Sequence, residues 1–333
     1  MITLLKKVGF FIERIMKKLE ATLINLFMWG ELFSTQGVLD TTIIQCEGFI
    51  FEFRQQDIKL KQSEYINKTI LTTIVTVRDI TEEQIPQILE IIDNICWLLS
   101  FAQQSPVARH DYKVNANKSF NSCSHILINP LRNIIDDRGE DIRKFVELTY
   151  PTFKKLKSSR QLPIVIGYLC EANRSSLALE IALISHYIAI ENLKNTFALE
   201  QQYQYSGQYF IHKNFPHLDN PPKDIENYLP LTKSRKKYVH RKFGQVSSTE
   251  MTFKMFEDIN FNRTKIKPFL TKRHKIIHEG ILLPCSGNNY NNQAIVDRCD
   301  VSDLLRQYLL TLLNYKGTYY LSRDRIGCSG LIT

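Results

Sequence analysis

The stretch LPIVIGYLCEANRSSLALEIALISHYIAIENLKNTFA, Leu162 to Ala198, decides how the chain is organised. Apolar side chains at Leu177, Leu179, Ile181, Leu183, Ile184, Tyr187, Ile188 and Ile190 nearly saturate its second half. So apolar a segment, read as one long helix, belongs at the centre of a helical bundle. Working outward, Asp141 to Leu156 shows a helical period before it. After it, helical patterning resumes near Ser248, where SSTE supplies capping residues, and continues with a break expected at Pro268 as far as Glu279. Gly280 then suits the position after a helix, Pro284 forbids continuation, and Ser302 to Leu313 forms a last helix. Residues 136–333 are therefore expected to be a bundle of four or five helices.

The residues before it read differently. TTIIQCEGFIFEF (Thr41 to Phe53) and ILTTIVTV (Ile70 to Val77) are rich in the β-branched and aromatic residues of strands. A T-x-x-Q capping box at Thr81 to Gln84 opens a helix with apolar positions from Ile85 to Leu99, and VARHDYKV follows as an extended piece. The opening MITLLKKVGFFIERIMKKLEATLINLFMW has charges at helical spacing and reads as an amphipathic helix. The expected fold class is thus α+β: a mixed α/β domain over 1–135, serving sensing or partner binding, then the bundle.

Composition narrows the function classes. With 333 residues, 44% hydrophobic and 23% charged, the chain is neither collagenous nor globally disordered. No uninterrupted apolar run approaches the ~20 residues of a bilayer crossing, so no membrane partner is expected. Seven scattered cysteines, an odd number without a C-x-x-C pair, fit reduced thiols in a cytoplasmic setting. No phosphate-cradling glycine loop or nucleophile elbow is present, and no cofactor is expected.

The net charge of +9 is concentrated. Leu231 to Lys275 carries 13 Lys or Arg against three acids, while the rest of the chain carries 30 against 31. A basic insertion over 201–247, expected to be an aperiodic loop at its start, contains KSRKKYVHRKF, where Lys233, Arg235, Lys236, Lys237, Arg241 and Lys242 surround Tyr238 and Phe243. Cations interleaved with stacking surfaces suit a polyanion, because neutralising phosphates releases counterions.

FLTKRHKIIHEG, Phe269 to Gly280, sets Arg273 five residues before His278, with His274 directly after the arginine and an Ile276-Ile277 pair before the second histidine. Five residues turn a helix by about 140° net, so the two side chains straddle a bound group rather than stack. The arginine offers a permanent charge and planar donors for a phosphate, and the histidine a general acid or base near neutrality. A second arginine-to-histidine spacing, Arg235 to His240, has Lys236 after the arginine and no aliphatic pair before the histidine. His274 and His278 share a face, but no third ligand at metal spacing accompanies them, so no metal is expected.

In this motif and the surrounding helices, over 136–333, the chain resembles the HEPN family of helical bundles, whose signature is an arginine and a histidine four to six residues apart. The resemblance implies a metal-independent endoribonuclease that leaves 2′,3′-cyclic phosphate and 5′-OH ends, acting as a toxin or antiviral-defence effector. It also implies a homodimer with a composite cleft, Arg273 and His278 as catalytic residues, and a neutralising antitoxin or activating partner. Glu191 matches the acidic position of a helix bordering the family's cleft and, with His274, would support the site. Lys272 and Lys275 would add attraction for RNA. A non-catalytic RNA-binding, nucleotide-binding or dimerisation module is the other reading of the same residues.

Overall fold

A computed structural model describes residues 16–33, 37–56, 66–115, 117–120, 126–174, 176–206, 209–213, 245–278, 289–322 and 330–331. Seven strands form one antiparallel sheet: β1 (Lys17–Ile24), β2 (Leu32–Phe33), β3 (Leu39–Cys46), β4 (Phe49–Gln55), β5 (Leu71–Ile80), β6 (Ala108–Val114) and β7 (Asn117–Phe120). Their order across the sheet is β2-β3-β4-β5-β1-β6-β7. The expected helix over 1–29 is corrected by β1. Leu19, Ala21 and Leu23 are fully buried and alternate with partly exposed Lys18, Glu20 and Thr22, a period of two that buries one face of a strand. Charges that sit at helical spacing in the sequence instead line the other face, where Lys18 and Lys113 both pair with Glu20. Residues 1–15 lie outside the described residues.

The strand expected over Thr41 to Phe53 is a hairpin. Glu47 and Gly48 both adopt positive φ (51° and 80°), the backbone a two-residue turn demands, so β3 folds back onto β4. The capping box is present in part as expected: the Gln84 side chain accepts a hydrogen bond from the Thr81 N–H at 2.8 Å, preceding a short 3₁₀ turn and α1 (Ile85–Gln103). Glu82–Gln103 is the one helical stretch among the described residues long and apolar enough to cross a membrane, and 61% of its apolar window is buried inside the protein. It contributes twelve buried residues, from Ile88 to Gln103, to the core beside the sheet.

Helix α2 (Gly139–Leu156) starts where Gly139 touches the sheet so closely that a Cβ would stand 2.2 Å from Thr42 Oγ1. Arg143 then pairs with Glu31 at 3.0 Å. The single helix expected over Leu162 to Ala198 is two, α3 (Leu162–Glu171) and α4 (Leu179–Glu200), packed on each other. Asn173 makes the break: buried between them in sequence, its side-chain amide donates to the carbonyls of Gln104 (2.9 Å) and Pro130 (2.7 Å), anchoring the chain to loops outside the helix. A polar side chain committed in this way competes with helix continuation.

The start of the basic insertion also differs from a loop. Strands β8 (Tyr203–Ser206), β9 (Tyr209–His212) and β10 (Gln245–Ser247) make a small antiparallel sheet. Residues 214–244 lie outside the described residues. Next come α5 (Ser248–Glu257), α6 (Arg263–His278), α7 (Asn289–Leu312), β11 (Thr318–Tyr319) and β12 (Gly330–Leu331). The Ser247 side chain accepts from the Glu250 N–H at 3.1 Å, an N-cap that the SSTE stretch announces. Ser247→Ala is expected to lower the unfolding free energy by about 1 kcal/mol, read from urea denaturation.

The break expected at Pro268 falls earlier, between α5 and α6. There Asn260 takes a positive φ of 65°, and Arg263 clamps Glu250 and Glu257 across the corner at 2.7 and 2.8 Å. Pro268 lies inside α6, within its second turn. One continuous cluster of buried side chains runs from Leu19 on β1 to Tyr319 on β11, across the expected division at 135/136. The fold is mixed α and β with antiparallel sheets.

Candidate functional site

Helix α4 positions the centre of the site, because its burial on several sides fixes where its few polar residues emerge. Glu191 and Lys194 stand three apart on it and pair with each other. Across from them, α6 is tied down by Tyr187 of α4, whose Oη donates to the Phe269 carbonyl at 3.2 Å. One turn later Arg273 brings Nη2 to 2.6 Å from Glu191 Oε1. The start of α5 closes the third side, where Lys194 Nζ donates to Ser248 Oγ at 2.7 Å, and the Phe210 ring of β9 lies 5.3 Å from the same ammonium.

Burial separates the roles of the two cations. The Lys194 side chain is 3% exposed, and desolvation holds its ammonium below the usual lysine range despite the Glu191 carboxylate. It cannot reach a substrate. Arg273, 18% exposed at its side chain, meets Glu191 in an ion contact rather than a two-pronged fork: its Nε is buried without a hydrogen-bond partner among the described residues. A guanidinium secured at one corner and still partly exposed is suited to an oxyanion. The carboxylate between two cations leaves the cluster with a net single positive charge.

The expectation that Glu191 supports the motif arginine therefore corresponds to a contact in the structure. His278 is the last residue of α6, and Lys272, His274 and Lys275 lie on the same helix, but the side chains of these four residues lie outside the described ones. So do Lys233, Arg235, Lys236, Lys237, Arg241 and Lys242. His186, five residues before Glu191, points the other way: 3% exposed, it faces Arg132, Arg298 and Arg306 in the interior. Cys46, Cys96, Cys170 and Cys299 are not in disulfides. Burial pushes Cys46 and Cys170 up to about 12, so neither is a ready nucleophile.

Sequence reasoning missed Lys194, Ser248 and Tyr187. The first had a signal, since an acid and a lysine three apart on a helix face commonly pair. The contacts of Ser248 and Tyr187 cross between helices, and nothing local announces them. No family model, curated protein or solved structure matches this chain.

Proposed function

We propose that the chain is a metal-independent endoribonuclease with a HEPN-like helical bundle, acting in the cytoplasm as a toxin or defence effector. The observation that carries this reading is the Arg273–Glu191–Lys194 cluster. It holds the motif arginine, 18% exposed, about one and a half helical turns before His278. Arg273 binds the scissile phosphate and stabilises the extra charge of the pentacovalent transition state. The ribose 2′-OH attacks phosphorus as the bond to the 5′-oxygen breaks. One His278 takes the 2′ proton and a second, from another copy of the chain, gives a proton to the leaving 5′-oxygen. Two copies related by a two-fold axis supply both histidines, and the basic insertion attracts the RNA. A partner that neutralises or activates the enzyme belongs to the same reading.

The test is incubation of mixed single-stranded and structured RNA in excess EDTA with wild type, Arg273→Ala and His278→Ala. Cleavage by wild type alone, with 2′,3′-cyclic phosphate and 5′-OH ends, is the expected result. A requirement for added zinc or magnesium would overturn the mechanism. The pairing of Arg273 with Glu191 also favours a second reading, a phosphate-binding module that does not cut. In that case His278→Gln keeps its RNA affinity and wild type yields no fragments.

A further inference from the structure

Sharing no lining residue with the arginine cluster, a cavity of about 540 Å³ opens between α1, α3, β6 and residues 126–129, a size typical of small-molecule sites. Among the described residues its apolar wall includes Trp97, Val107, Ile126 and Leu127. Among the described residues four charged side chains line it, and they cancel in pairs. Arg109 forks onto Asp93 through Nε and Nη2 at 2.9 and 2.8 Å, and Arg174 meets Glu171 at 2.8 Å. The Arg109 side chain is 9% exposed, so its pair is a fixed part of the wall. Asn129 is buried too, and its amide nitrogen donates to the Cys170 carbonyl.

A second observation concerns Gly167, in the middle of α3. Glycine there destabilises a helix relative to alanine, so some feature of the structure ordinarily accounts for it. Its φ is not positive, and a Cβ built on it meets nothing within 4 Å among the described residues. Neither backbone conformation nor close packing calls for glycine. What the missing side chain does is leave the cavity wall open.

We infer that this cavity is a binding site for an uncharged, ring-sized aromatic molecule, seated against Trp97 and Gly167. Charge cancellation around the rim gives an ion of either sign no unpaired partner among the described residues, and the apolar wall favours a ring over a chain of hydroxyls. The site is independent of RNA cleavage, and its test does not use that activity.

Indole is the probe, followed by calorimetry and by the rise in melting temperature it causes, with the anion indole-3-acetate and the cation tryptamine as comparisons. Wild type is expected to bind indole with a Kd on the order of 0.1–1 mM, in the range open to so small a ligand. Both ions should bind at least fivefold more weakly. Gly167→Phe should fill the cavity and weaken indole at least tenfold while keeping a wild-type or higher melting temperature. If that variant does not fold, Ala108→Leu, entering from β6, serves in its place with the same expected loss. Absence of indole binding to wild type at about 5 mM, equal binding to the filled variant, or equal binding of the ions overturns the inference.

Discussion

Glu191→Ala is expected to lose about 2–3 kcal/mol of unfolding free energy and to slow RNA cleavage on the order of a hundredfold. The substitution removes the carboxylate that pairs with both Arg273 and Lys194, leaving two cations facing each other. Breaking a fully buried pair costs more, but Glu191 and Arg273 retain some solvent, which lowers the figure. Lys194 has less recourse to water and sheds its proton more readily, since its ammonium is already disfavoured by desolvation. Adding Lys194→Met to Glu191→Ala should therefore restore part of the stability, in urea titrations, without restoring cleavage. A double variant no more stable than the single one would show that lost packing, not charge, explains the cost.

Acidification from pH 7.5 to 5 should cost about 2 kcal/mol through His186 alone. Burial, with Arg298, Arg306 and Arg132 nearby, lowers its pKa from 6.5 to about 3. The imidazole is held neutral, with Nδ1 2.8 Å from the Ala182 carbonyl. Asp303, which pairs with Arg306 at 3.2 Å, only partly offsets the positive surroundings. Between pH 6.5 and about 3 the unfolded chain binds a proton that the folded one refuses. This contribution is therefore complete above 6.5 and is lost as pH falls toward the folded value. Comparing urea midpoints of wild type and His186→Gln over this range isolates the residue from the carboxylates. The variant, less stable at pH 7.5, should show a slope shallower by up to one proton.

How far the sequence could be read depended on whether each signal was local. The Ser247 cap, the edges of α1 and the strands around Val75 rest on side chains near in sequence, and they were legible. β1 was not, because Lys17, Lys18 and Glu20 mimic helical spacing while the partners that make it a strand, Val75 and Tyr112, are remote. The division of α3 from α4 depends on Asn173 reaching Gln104 and Pro130, again a distant contact. At the candidate site, Arg273 stood out by its spacing to His278, and Glu191 only through the family resemblance. The depth of Lys194 and its bond to Ser248 emerge only when three helices are brought together.

The placement of β1 inside the sheet, between β5 and β6, bears on how the chain reaches its fold. Ala21 pairs with Val75 on one side and Tyr112 on the other, so the earliest described strand waits for two partners made much later during synthesis. Closing such long loops is entropically costly and slows folding. Until residues 71–80 leave the ribosome both edges of the strand are open, and until Tyr112 follows one edge stays open to any other extended segment. The nascent sheet is thus most vulnerable to mispairing at a strand whose two edges the finished protein covers completely.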